Sequence, residues 1–451
     1  MFKFVKIAVR NLLKNRSRTI ILSASIIITS IILTVLMSLT AGIEDTMLKS
    51  ATTLLTGHVN IAGFNKISSS SAAPVVKGYK ELEKIAVDSI KDPTLIIDRV
   101  KGWGKIVSDT ASLQYPMWGV DINREKDMRN VLELAPKTDY IDNYKPSPND
   151  PLTNGSFDCM KERGGVLIFA NHAKRLNVMV GDSVTISMPT YRNANNTKDV
   201  NVCAVLKDIG FLSQFGIFLH KEDLRELYQM NEDTSGQIMI YLKNVKDVPK
   251  VENDLRTILT KKGYRLMEKE SKPFWMKFER VTAETWTGQK IDVTTWEDEI
   301  SFMKWIIKTF SVLSILLVSV LLFIIVLGIT NAVWMSIKER TNEIGTLRAI
   351  GMHRKEILKM FMLEGFILSA VSSLVGTITG VVICYLVNWI EIPITSLSFK
   401  VLLLSDHIIL HVRPSNLLMS FVTITFFATC GSILPSYRAS KMKPVTAINF
   451  N

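Results

Sequence analysis

The chain has 451 residues, 47% of them hydrophobic, and its 54 Lys and Arg against 42 Asp and Glu leave a net charge of +12. The apolar residues gather in four stretches without Asp, Glu, Lys or Arg, at 19–43, 309–337, 365–390 and 414–437. Each exceeds the roughly 20 residues that carry a helix across a hydrocarbon core about 30 Å thick, which excludes a soluble single-domain enzyme.

Residues 1–18 hold six bases and no acid. Phe2, Val5, Val9 and Leu12 recur at helical spacing beside a stripe of Lys3, Lys6, Arg10 and Lys14, which predicts an interfacial amphipathic helix set against anionic headgroups. The first span, 19–43, reads as an uncleaved anchor, because its apolar run is longer than that of a signal peptide and no A-x-A-like site follows. Residues 44–304 have soluble composition and are numerous enough for a domain. Short β-like runs at His58–Ile61, Gly165–Phe169, Ser183–Met188, Val200–Leu206, Gly216–Leu219 and Gln237–Leu242, with helical patterns at Lys80–Ser89 and Val248–Lys262, predict an α+β fold. Ser68–Ser71 and the Asn-rich Thr190–Lys198 read as loops, the second projecting between two strands. The polar run Thr282–Ser301 leads into a second span, 305–337, and predicts a helical stalk continuous with it.

A charged segment, 338–364, precedes the third span, 365–390. There Ser369, Ser372, Gly376 and Gly380 share one helical face, and Gly376 and Gly380 are candidate helix-packing residues. Small residues let helices approach where burial from water no longer drives association, although glycine is common in membrane helices in any case. A loop (391–413), a fourth span (414–437) and a tail (438–451) complete the chain. Residues 1–18, 338–364 and 438–451 carry +6, +2 and +3, while 44–308 keeps only +1 and the loop balances. The positive-inside rule makes the three basic segments cytoplasmic and puts the large segment and the loop outside. A basic excess at membrane flanks is also a poor fit to a nucleic-acid partner.

No G-x-x-x-x-G-K-[ST], G-x-S-x-G or H-E-x-x-H motif occurs, so no catalytic residue, metal site or cofactor is expected on this chain. His407 and His411 are four apart but lack further ligands nearby and read as interface-facing polar residues. Cys384 and Cys430 fall within spans, whereas Cys159 and Cys203 are both external and could pair, at a distance the sequence leaves open. Lys338–Ile350 reads as one helix with Gly351 as its stop, followed by a second helix from near His353. Such a hairpin is either a solvated loop or a knob for a groove on a partner protein.

The wording of this hairpin, Glu339-Arg340-Thr341-x-Glu343-Ile344-Gly345-x-Leu347-Arg348-Ala349-Ile350-Gly351, resembles the cytoplasmic signature of the FtsX/MacB/Lol (type VII) family of ABC-transporter permeases. Arg10-Asn11-Leu12 with Arg18-Thr19 resembles that family's opening, and Pro435-x-x-Arg438-Ala439-Ser440-x-x-x-Pro444-Val445-x-Ala447 its ending. Leu176–Asp182 resembles the family's Gly-Asp turn before a strand; Gly57–Ile61, Trp296 and Asn331 resemble the lipoprotein-releasing (LolC/LolE-like) branch. The wording from Arg340 to Gly351 is nearer the MacB branch.

The resemblance implies a polytopic α-helical membrane protein with four transmembrane helices and a large α+β extracytoplasmic domain, a MacB-like periplasmic core, between the first and second. It implies a non-catalytic permease subunit in a bacterial inner membrane, working with a second permease copy or paralogue and an ABC ATPase dimer that holds ATP and Mg. Glu339, Arg340, Glu343, Ile344, Arg348, Gly351 and Arg354 are the implied ATPase-coupling residues. ATP-driven closure would move the hairpin, and the stalk would relay the motion by mechanotransmission. The expected cargo is a lipoprotein or other amphipathic substrate drawn from membrane lipids toward an outer membrane. In the lipoprotein-releasing branch a Pro-containing hook can receive a periplasmic carrier; the matching region, Met188–Val200, contains Pro189, and Pro189, Tyr191 and Arg192 are the candidate carrier or partner residues. The alternatives are MacB-like export of a periplasmic peptide, toxin or drug, and FtsX-like activation of a cell-wall hydrolase. The large external segment and the lack of a fused ATPase turn the expectation toward the first.

Overall fold

A computed structural model describes residues 8–13, 16–68, 71–91, 93–125, 128–145, 151–190, 194–209, 213, 216–394 and 407–442. In chain order the first elements are α1 (Arg16–Leu54), β1 (Val59–Ser68), β2 (Ser71–Ala73), β3 (Val76–Lys77), α2 (Tyr79–Ser89), β4 (Pro93–Val107) and β5 (Ser112–Val120). There follow β6 (Gly165–Phe169), α3 (Ala170–Leu176), β7 (Ser183–Pro189), β8 (Asn195–Leu206), β9 (Ile217–His220), α4 (Lys221–Tyr228), β10 (Thr234–Ser235) and β11 (Gln237–Leu242). The last are α5 (Val248–Lys261), α6 (Phe278–Ala283), β12 (Gly288–Thr295), α7 (Lys304–Glu339), α8 (Thr341–Ala349), α9 (Arg354–Ile390) and α10 (Pro414–Ser440). They form two units, one helical (α1 up to Asp45 and the chain from Ile306 onward, to Ile394 and from His407) and one α+β (from Thr46 to Trp305).

In the helical unit, α1, α7, α9 and α10 are each long and apolar enough to cross a membrane. Ile26 and Leu33 of α1, Leu322, Ile325 and Ile329 of α7, Leu368 of α9, and Ile424 and Ala428 of α10 form its core. Val312, Leu313, Phe323, Leu374 and Phe426 are exposed, as lipid-facing side chains must be. The glycine face of α9 lies against α1. A Cβ on Gly376 would come 2.5 Å from Ser30 Cβ and 2.7 Å from the Ile27 carbonyl, and one on Gly380 would come 2.9 Å from Thr34 Cβ. At the other end of this helix pair Arg413 grips Glu44 at 3.0 Å and Asp45 at 2.6 Å.

The α+β unit is organised by β4. Its first part pairs with β11, its second with β5, and Lys105–Val107 also pairs with β7. The strands β4-β5-β9-β6-β8-β7 therefore close into a ring, with Val100, Ile106, Met117, Ile168, Ile186 and Leu219 among its core residues. Every residue of β6 is buried, as suits a strand paired on both sides within a closed wall. On the other side of β4 the order continues β11-β1-β12. That part is covered by the apolar faces of α2 (Leu82, Ile85, Ala86) and α5 (Leu255, Leu259).

Four sequence expectations change. The first helix does not end near Glu44 but runs to Leu54, because Met47, Ala51 and Leu54 continue a buried stripe at helical spacing; loss of charge-free composition marks a membrane edge, not a helix end. The polar run before the second span is not a helical stalk: Gly288–Thr295 is β12, held along β1 from Val59 to Lys66. Its β-branched Ile291, Val293, Thr294 and Thr295 favour that extended state. Asn195–Lys198, expected in a loop, begins β8 and pairs with Ile186–Pro189 of β7. Ser68 and Ser71 fall in β1 and β2, which pair with each other. The amphipathic pattern of residues 1–18 is described only in part, with 8–13 helical. Cys159 and Cys203 form a disulfide across 44 residues of chain, their Cα atoms 5.9 Å apart; closing a loop of that size stabilises the fold by about 4 kcal/mol in the chain-entropy picture.

Exchanging Gly376 for Leu should prevent α9 from seating on α1 and abolish stable insertion, whereas Gly376→Ala should be milder; equal yields and thermal midpoints for all three in detergent would refute the close contact. A second expectation concerns His172. It is fully buried, lies 4.1 Å from the Tyr115 ring, and neither ring nitrogen has a hydrogen-bond partner. Burial, helped by Arg175, lowers its pKa from 6.5 to about 4. The folded state thus holds His172 neutral while the unfolded chain protonates it, so stability present above pH 6.5 drains away as pH falls toward 4, by about 3 kcal/mol. His172→Phe should flatten that part of the pH–stability curve; an unchanged acid slope would count against it.

Candidate functional site

The hairpin between α7 and α9 contains the expected coupling residues. It is not the single helix expected for Lys338–Ile350, since the chain breaks at Arg340 (φ −112°) between α7 and α8. The break is local chemistry. The Arg340 amide bonds the Ile337 carbonyl, three residues back, and the Thr341 hydroxyl donates to the carbonyls of Ile337 and Lys338, both at 3.0 Å. These bonds satisfy carbonyls that a helix end leaves open. Gly351 sits at φ 104°, a left-handed conformation suited to glycine, and stops α8. The start of α9 is capped by His353, whose amide donates to Glu356 at 2.8 Å in a capping box.

The hairpin has its own core of Ile337, Ile344, Ile357, Met360, Phe361 and Ala439. Ile344, expected on the docking surface, is 1% exposed and belongs to this core. Its place as the outward apolar residue is taken by Ile350, 80% exposed at the tip beside Gly351. Glu339, Glu343, Gly351 and Arg354 face outward, and Arg348 is half-buried with no partner for its Nε.

Arg340 turns inward. It pairs with Glu343 at 2.9 Å and with Glu364 of α9 at 3.1 Å, and its guanidinium lies 5.6 Å from the Phe361 ring centre. Asn11, in the short N-terminal helical segment, donates to the same Glu364 carboxylate at 2.5 Å. Burial opposes the charge on Arg340, but bonds to Glu343 and Glu364 outweigh it and hold its pKa above the usual value. One carboxylate thus joins the hairpin, the root of α9 and the N-terminal segment. Its presence could have been noticed as a lone acid in an otherwise apolar stretch; its partners could not. The cavity beside it measures about 40 Å³, room for water and not for cargo.

A second junction lies inside the α+β unit, where α1 ends. Arg99 of β4 donates to the carbonyls of Thr53 (2.6 Å) and Leu54 (2.7 Å) and is paired with Glu125. Tyr241 of β11 donates to Thr52 at 2.8 Å, and Gln237 to Leu55 at 3.3 Å. The final carbonyls of α1 are therefore held by side chains from two adjacent strands. None of these residues stood out in the sequence. Of the expected carrier residues, Pro189 is exposed at the end of β7, while Tyr191 and Arg192 lie outside the described residues.

Residues 315–444 match the family model for the FtsX-like permease C-terminal domain. The chain carries an FtsX-like permease C-terminal domain. An uncharacterized ABC transporter permease of Methanocaldococcus jannaschii is 25% identical over 218 residues, 45% of this chain and 52% of that protein. The macrolide export ATP-binding/permease protein MacB of Psychrobacter cryohalolentis is 30% identical over 123 residues, 27% of this chain and 16% of its own. The chain thus spans about half or less of the curated relatives it matches. The periplasmic region of MacB from Actinobacillus actinomycetemcomitans overlays 55% of this chain and 94% of its own at 9% identity, with a TM-score of 0.31. The curated relatives are ABC transporter permeases, MacB among them, and they do not single out the lipoprotein-releasing branch.

Removing one partner of the buried Arg340–Glu364 pair strands the other, at a cost of about 3 kcal/mol. Arg340→Met should lower the protein's unfolding midpoint strongly, and Arg340→Met combined with Glu364→Leu should recover most of the loss. Additive losses in the double variant would contradict the pairing.

Proposed function

We propose that this chain is the membrane subunit of an ATP-driven transporter in a bacterial inner membrane, with its large domain on the outer side. It carries no catalytic group of its own. ATP and Mg belong to a pair of partner ATPase subunits, and a second permease copy or paralogue completes the complex. The observation that carries this reading is the hairpin: an exposed, mixed apolar and charged tip on a buried core that Arg340 and Glu364 fasten to the spans. Such an element fits a groove on a partner and can pass a push to the helices without folding under it. Ile350, Glu343 and Arg354 present the contact surface, and Arg340 acts from behind it as a positioning residue.

For cargo, the reading best supported is MacB-like export of an amphipathic molecule taken up from the membrane or the outer side. It draws on the curated relatives, among them proteins named for macrolide export and for pyoverdine export. Lipoprotein extraction toward an outer membrane, with a periplasmic carrier at Pro189, is the second reading and rests on the sequence likenesses at Gly57–Ile61 and Asn331. Co-purification of a triacylated protein with the complex would favour the second; an adaptor and outer-membrane duct recovered with it would favour the first.

Ile350→Asp should reduce ATPase association at least about tenfold, the effect of losing roughly 1.4 kcal/mol at a small apolar contact. The permease's own thermal midpoint should stay unchanged, since the side chain packs on little of its own fold. Full association by the Asp variant in a pull-down with the ATPase would remove the tip from the interface.

A further inference from the structure

The helical segment 8–13 is a short arm with two faces. Ala8, Asn11 and Leu12 turn inward: Ala8 is fully buried, Leu12 packs on the core of the helical unit, and Asn11 donates to Glu364 at 2.5 Å. The Thr19 hydroxyl of α1 donates to the Leu12 carbonyl at 2.8 Å and ties the arm to the span that follows. Val9, Arg10 and Leu13 turn outward, Val9 40% and Leu13 62% exposed, and Arg16 at the start of α1 is exposed as well. Positions 8, 11 and 12 against 9, 10 and 13 are separate faces at helical spacing. The outward face is apolar and basic together.

What that face meets follows from its level in the helical unit. Asn11, Thr19, Ser336, Arg340 and Glu364 line one small cavity, and so does Val333. Trp334 lies on the same turn of α7, between Val333 and Ser336, and the Arg438 guanidinium of α10 is 5.4 Å from its ring centre. At the end of α10 the Lys441 ammonium lies 4.4 Å from the Tyr437 ring. Aromatic rings paired with basic groups at the ends of apolar helices mark a membrane–water boundary. The arm therefore sits at headgroup level, where Val9 and Leu13 reach the acyl boundary while Arg10 and Arg16 meet phosphates. Residues 1–18 hold six bases and no acid, so the complementary surface is one of net negative charge.

We propose that Val9, Arg10, Leu13 and Arg16 bind anionic lipid headgroups, and that this lipid contact, passed through Asn11 to Glu364, sets how firmly the hairpin is held. Asn11 is the positioning residue: its amide orients the carboxylate that Arg340 meets at 3.1 Å. Headgroups of negative charge hold the arm in its docked orientation and keep that amide on Glu364. In a membrane without them the arm is held by its inward face alone, and the carboxylate is less restrained. The consequence for the ATPase rests on the reading of the hairpin as the coupling element; the lipid contact itself does not.

The test uses the full chain in phosphatidylcholine bilayers with and without phosphatidylglycerol, and reads amide hydrogen exchange across 341–352. Phosphatidylglycerol should slow that exchange about fivefold, the factor that the attraction of one basic residue to an anionic surface supplies, and added salt should weaken the effect. Asn11→Leu should abolish the response to lipid, and Asn11→Gln should keep part of it. Arg10→Gln combined with Arg16→Gln, which leaves every inward contact intact, should abolish it too. No slowing in the native chain overturns the proposal. Slowing that persists in Asn11→Leu, or in the double arginine variant, means that lipid acts on the hairpin by another route and overturns it as well. Equal slowing by inorganic phosphate in pure phosphatidylcholine assigns the arm to a free anion and rejects the lipid. The measurement is made without the ATPase, so the lipid contact can fail while the coupling reading stands, and the reverse.

Discussion

Hydrocarbon offers a peptide group no hydrogen-bond partner, so a chain crosses it as helices whose polar business is finished at their ends. In this protein those ends are handled largely by guanidinium groups. Arg413 holds Glu44 and Asp45 beside the start of α10, Arg340 holds Glu364 at the root of α9, and Arg99 holds the last carbonyls of α1. Arginine is suited to the task because its planar fork of donors can serve two acceptors at once and stays charged when partly buried. The apolar bodies of the helices then need only shape, which α9 supplies with glycines against α1.

This division has a mechanical consequence. Packing between apolar helices is non-directional and lets them slide, whereas a charged hydrogen-bonded pair fixes a distance. The hairpin is tied to the root of α9 by such a pair and has a small core of its own. Inside the α+β unit, the end of α1 is fixed to β4 and β11 in the same manner. Each junction converts a helix end into a handle.

Parts of the architecture were legible before any coordinates. The runs Gly165–Phe169 and Gln237–Leu242 coincide with β6 and β11, because both are buried strands with continuous apolar sequence. The longest strand was not read. β4 carries Asp98, Arg99, Lys101, Gly102 and Gly104, and its charges are tolerated only because partners reach them: Lys221 and Ser235 for Asp98, Glu125 and helix carbonyls for Arg99. Its Gly102 and Gly104 leave room for Met188 of the facing β7. Polar strand residues with distant partners look like loop residues when read locally. β12 was missed for the same reason.

Within the candidate site the split is similar. Arg340, Glu343 and Gly351 were recognisable as a constellation, but Ile344, expected on the docking surface, is buried, and Ile350, six residues further on, is the exposed apolar side chain. Sequence by itself determined where the chain can cross a membrane and where a glycine must end a helix, because transfer from water to hydrocarbon and backbone conformational freedom are properties of each residue and add up locally. Only the tertiary structure decided which face of the hairpin is inside and which acid each arginine meets. Those outcomes depend on neighbours such as Asn11 and Glu364, 353 residues apart in the chain, whose proximity no local pattern encodes.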